Sequence, residues 1–73
     1  MTTIAPGSRV VVRTADDRFI ERRALTGVID GLDFPVVWIT AEEEWLLAKR
    51  EGREPEGLPW PAEDVQLADE VAV

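Results

Sequence analysis

The sequence predicts a mainly β domain: a small, partly open barrel of four or five antiparallel strands with one α-helix inserted at about residues 41–50. Three observations predict it. Short runs such as "SRVVVRT" and "FPVVWIT" are rich in β-branched residues and are bounded by Gly, Pro and Asp, the punctuation of strands. "DGLD" between two such runs is a hairpin signal. A single stretch, "TAEEEWLLAKREG", carries helix start and stop signals at consistent spacing.

In "SRVVVRT", Val10 and Val12 fall on one face and Arg9, Val11 and Arg13 on the other, the period of a half-buried strand. "ADD" then reads as a turn, because Asp side chains bond nearby backbone and compete with a continued strand. "RFIERRALTGVI" is long enough for one bent strand or two short ones, with Gly27 at the bend. Asp30-Gly31 suits a tight turn with positive φ. In "FPVVWIT", Phe34, Val36 and Trp38 face one way and Val37 and Ile39 the other, which predicts a strand that is central or covered on both sides, with Pro35 confining its beginning to an edge or a strand start.

Thr40 and Glu43 have the spacing of a capping box, acids fill the first helical turn, and Lys49 and Arg50 precede a terminating Gly52. Ala41, Trp45 and Ala48 share one stripe while Leu46 and Leu47 project to opposite sides of it, so at least one leucine is expected to be exposed. Residues 51–61 read as a Gly/Pro-rich loop, Pro61 presets φ for a short 3₁₀ or α turn, and Val65 and Leu67 alternate as a last strand. The expected core is Val10, Val12, Ile29, Val36, Trp38, Trp45 and Leu67.

The 73 residues read as one domain, residues 1–73, with short flexible ends at about 1–6 and 69–73. A chain of this length buries only about 60% of its unfolded surface. It has no cysteine and no histidine, hence no disulfide and none of the preferred ligands of zinc. No stretch has the character of a signal peptide or a membrane span, and the expected location is cytoplasmic. The net charge of −7 is unevenly placed: residues 1–41 carry five arginines against five acids, and residues 42–73 three basic groups against ten acids. Such a surface argues against direct contact with nucleic acid, whose phosphates require Lys and Arg.

"PWPAEDVQL" resembles the Pro-containing 3₁₀ turn and closing strand of SH3-like barrels, and "TADDRF" is similar to the acidic loop between the first two strands of that superfamily. Together the two stretches cover about a fifth of the chain. The resemblance implies an SH3-like partly open barrel in which the last strand closes against the first. A helix after "FPVVWIT" departs from the SH3 pattern, as does the lack of tyrosine for a peptide groove.

Catalysis is not expected. The chain offers carboxylates, hydroxyls and Lys49, but neither an imidazole base nor a thiol nucleophile. The glutamates at 42–44 diverge by about 100° per residue on a helix and cannot converge on a metal. The expected function is that of a small acidic protein-interaction (adaptor) module, without cofactor or metal, whose candidate binding residues are Trp45, Leu46, Leu47, Trp60 and Pro61. For Trp60 the alternative is a plug at the open end of the core. Two further readings stand beside the module: an acidic nucleic-acid mimic or antagonist of a basic protein, and a structural subunit of a larger assembly. A protein partner is expected in each case, and the association expected through the helix side is a weak homodimer or a hetero-complex.

Overall fold

In the computed structural model, which describes residues 3–71, Val10 and Val12 of strand β1 (Arg9–Arg13) point into the core and are fully buried. β1 pairs antiparallel with β2 (Phe19–Ala24), placing Val12 opposite Ile20. The turn between them is the one "ADD" predicts. Thr14 N–H donates to the Arg18 carbonyl at 2.8 Å, Asp17 N–H donates to the Thr14 carbonyl at 3.0 Å, and the Thr14 hydroxyl bonds the Asp16 carboxylate.

The long second run does split, into β2 and β3 (Ile29–Asp30), and Gly27 lies in the bend. Both halves pair with β4 (Pro35–Thr40): Ala24 stands opposite Ile39, and Ile29 opposite Val36. Across the bend the ladder is carried by a side chain. Leu25 N–H donates to the Trp38 carbonyl at 2.7 Å, and Trp38 N–H donates to the Thr26 hydroxyl at 3.2 Å. β5 (Leu58–Pro61) pairs with β4 from Val36 to Ile39. A 3₁₀ turn (Ala62–Asp64) entered from Pro61 leads into β6 (Val65–Leu67), which closes on β1 with Val10 opposite Leu67 and Val12 opposite Val65. The result is a curled antiparallel sheet of six strands among the described residues. Helix α1 (Glu42–Glu51) is inserted between β4 and β5, and a short helix α2 (Ala68–Val71) follows β6.

The core is small and aliphatic. Val10, Val12, Ala24, Val37, Ile39, Val65 and Leu67 form one buried cluster, with Ile4, Ile20, Trp60 and Ala62 packed half-buried against it. Three residues expected in the core lie outside it: Ile29 is 41% and Trp38 38% exposed, and Trp45 is half-buried on α1, apart from the cluster. β4, which carries Trp38 and pairs with Ile29 of β3, has two apolar faces, and the sheet curls around only one side. Val37 and Ile39 take that side, and α1 packs against β2 rather than over the outer face of β4. Val36 is buried as expected, but on the outer face of β4 and outside the core cluster.

Three local expectations also change. The helix starts one residue later than the capping box implies. Ala41 is its N-cap, with no side-chain cap bond, and the Thr40 hydroxyl instead donates to the Glu56 carbonyl at 2.6 Å. A buried threonine needs a partner for its hydroxyl, and the chain returning through 53–57 supplies one. Gly31 lacks the expected positive φ, because the connection from β3 to β4 spans residues 31–34 and Gly31 N–H donates to the Phe34 carbonyl at 3.0 Å. A Cβ on Gly31 would collide with that same carbonyl, so close approach is what demands glycine there. Finally, the end of the expected loop 51–61 is strand β5. Its two prolines point to a loop by propensity, but an edge strand tolerates them.

The helix stop is as predicted. Gly52 adopts the left-handed conformation (φ 69°) and its N–H caps the Lys49 carbonyl at 3.3 Å, while Arg53 N–H reaches the Ala48 carbonyl at 3.0 Å. Arg53 then folds back on the helix, pairing with Glu44 at 2.6 Å and Glu51 at 2.7 Å. Glu44 also accepts from Glu56 N–H at 2.9 Å. Together these contacts pin residues 53–56 to α1 and deliver the chain to β5.

Candidate functional site

The side chains that point away from the core on β4 belong to Val36 and Trp38. Cross-strand register extends this outer face in both directions, with Pro59 of β5 opposite Trp38 and Ile29 of β3 opposite Val36. The β3–β4 connection adds Leu32, which is fully exposed, and Phe34, which is 48% exposed. Leu32, Phe34, Val36, Trp38 and Pro59 line a groove of about 530 Å³ whose remaining walls are Asp30, Gly31 and Asp33. A second groove of about 480 Å³ is lined by Leu25, Thr26, Ile29, Trp38, Pro55 and Gly57 together with Glu54. Trp38 belongs to both, so the two form one continuous apolar surface.

The charge of this surface has one sign. Asp30, Asp33 and Glu54 line the grooves, no Lys or Arg does, and none of the three makes an ion pair among the described residues. Elsewhere the acids are largely engaged. Asp64 holds Arg13 at 2.7 Å, Glu42 holds Arg23 at 2.8 Å, and Glu44 and Glu51 share Arg53. The Arg53 guanidinium and the Glu56 N–H hold the Glu44 carboxyl down at about 2. Among the described residues no three carboxylates converge where a cation could sit.

The five residues singled out from the sequence are placed as follows. Trp45 is half-buried, with the Arg23 guanidinium and the Lys49 ammonium each 4.2 Å from its ring centre. Arg23 is itself fixed by Glu42 and by the Gly7 carbonyl, at 2.9 Å, so the Trp45 sandwich bolts α1 to β2. Leu46 is 52% and Leu47 40% exposed, so both leucines stand free. Trp60 is half-buried against the core, and its indole N–H donates to the Arg13 carbonyl at 3.0 Å. Trp60 and the half-buried Pro61 line a groove of about 470 Å³ with Arg13, Thr14, Ala15, Asp17, Pro59 and Asp64. That groove contains none of Trp45, Leu46 and Leu47, so the five residues do not meet in one pocket.

The sequence reading did not find the Trp38 face, because it assigned Trp38 and Ile29 to the core. One signal could have found it. A strand with two apolar faces in a 73-residue chain exceeds what a single small core can cover.

The chain matches no protein-family model, and no significant similarity to a curated protein or a solved structure is found for it.

Proposed function

We propose that the chain is a small acidic protein-interaction module, non-catalytic, built on an SH3-like barrel. Support for the barrel comes from the closing pair of β1 and β6, the bent β2–β3 run shared along β4, and the 3₁₀ turn before the last strand. The observation that carries the function is where the large apolar side chains lie. The largest fully buried ones are Val10, Val12 and Val37, whereas Leu32, Phe34 and Trp38 share one exposed groove. A domain this short gains about 25 cal/mol for each Å² of apolar surface it buries. Leaving this much apolar surface open is explained by a partner that covers it.

The acidic-mimic reading draws on the same excess of carboxylates, and salt separates the two. Immobilised chain is exposed to extract at low and at high salt, alongside the double variant Leu32→Ser, Phe34→Ser. A partner retained at high salt and released by the double variant supports the module. A partner lost with salt and indifferent to the variant overturns it in favour of electrostatic mimicry.

A further inference from the structure

We propose that the Trp38 face docks a partner-protein segment in which an apolar side chain is flanked by lysines or arginines. This rests on the interaction-module reading and adds the chemistry of the partner. Apolar side chains from three elements converge on Trp38: Leu32 and Phe34 from the β3–β4 connection, Ile29 from β3 and Pro59 from β5. The polar rim is Asp30 and Asp33 on one groove and Glu54 on the other, all without an ion-pair partner among the described residues. An occupant that fills the grooves with apolar atoms and brings cations to the rim satisfies both features at once.

The same charges disfavour the other occupants. A second copy of this chain, net charge −7, would set Asp30, Asp33 and Glu54 against a surface carrying the same three acids. Nucleic acid and anionic lipid surfaces meet only carboxylates here. Pairing an added strand onto β5 is also hindered, since Pro59 and Pro61 have no N–H to donate. Recognition is therefore by side chains on the sheet face, with the apolar anchor supplying affinity and the basic flanks supplying selection.

The test uses the full chain, isotope-labelled for NMR, and short synthetic peptides in which a Leu-Phe pair is flanked by Lys and Arg, by Ser, or by Glu. The three tryptophans report location, because each has its own indole signal. The basic-flanked peptide is expected to shift the Trp38 indole and the amides of residues 31–34 while leaving the Trp45 and Trp60 indoles in place. It should bind about tenfold more tightly than the Ser-flanked peptide, the effect of a few exposed charge contacts. Asp30→Asn, Asp33→Asn and Glu54→Gln combined should erase that preference. Leu32→Ser with Phe34→Ser should abolish binding of both peptides, with an unchanged core spectrum showing that the fold is intact.

The proposal is overturned if the flanks make no difference, if no peptide binds, or if the Trp60 or Trp45 indole moves instead of Trp38. It is also overturned if the same residues shift on concentrating the chain alone, which makes a second copy the occupant. In any of these cases the interaction module survives if a retained partner is still released by the Leu32, Phe34 double variant. If the partner stays bound, the module reading falls as well.

Discussion

The indole N–H of Trp60 donates to the carbonyl of Arg13 at 3.0 Å, joining β5 to the end of β1 although the two strands are not paired in the sheet. The bond crosses the seam that the 3₁₀ turn and β6 must close, and Arg13 reinforces it by gripping Asp64 of that turn through Nε at 3.0 Å and Nη2 at 2.7 Å. Pro59 and Pro61 on either side of Trp60 restrict the backbone that presents the ring. Trp60→Phe keeps a large ring but loses the donor, and should cost about 1 kcal/mol. Trp60→Ala also removes the packing against the core, and should cost about 3 kcal/mol. Denaturant unfolding of the two variants separates the terms; a neutral Trp60→Phe would mean that the hydrogen bond contributes nothing, and equal losses that the packing contributes nothing.

Thr40 and Ala41 exchange the roles that the sequence assigns them. Thr40 is buried and serves the returning chain at Glu56, while Ala41 occupies the N-cap with extended backbone (φ −68°, ψ 148°) and no side chain able to cap. Thr40→Val should therefore destabilise by about 1 kcal/mol through the unsatisfied Glu56 carbonyl. Ala41→Ser should stabilise by about 1 kcal/mol by supplying the missing cap. Thermal melts of both variants check the assignment, and a neutral Thr40→Val would count against the buried bond.

Acid should loosen the 53–56 segment before the sheet. Glu44 titrates at about 2 in the folded chain, below the ordinary 4.5, because Arg53 and the Glu56 N–H favour its charged form. A depressed carboxyl pKa gives stability that is present above the unfolded value and is lost as pH falls toward the folded one. The Glu44 contribution should fade between about pH 4.5 and 2. Glu44→Gln should flatten that part of the stability profile, as measured by unfolding midpoints across the pH series.

Local signals were legible where one short segment decides the outcome. The Gly52 stop, the turn at Asp16 and Asp17, the bend at Gly27 and the alternation of Val65 with Leu67 are all settled by neighbours in sequence, and the structure has them. What the sequence could not decide is which apolar face of β4 wins the core. Val37-Ile39 and Val36-Trp38 are equivalent by periodicity, and the choice is made by the curl of a sheet whose partners lie far away along the chain. The strand at Leu58–Pro61 was hidden for a similar reason, since proline argues against a strand until the edge position is known. The Trp38 face followed both errors out of view, because it is built from β3, β4 and β5 together.

That choice of face gives the last prediction. Val37 is fully buried at the centre of the core, Trp38 beside it is 38% exposed, and Leu32 at the tip of the β3–β4 connection is fully exposed. Stability should follow burial rather than side-chain size. Val37→Ala should cost about 2 kcal/mol through a cavity that its neighbours cannot fill. Trp38→Leu retains apolar contact with Pro59 and should cost about 1 kcal/mol. Leu32→Ser should leave stability within about 0.5 kcal/mol, as a surface substitution with no structural partner. Denaturant unfolding of the three variants gives the ranking directly. A Trp38→Leu loss larger than that of Val37→Ala would mean that the core lies on the other side of β4, and the outer face would then be unavailable to any partner.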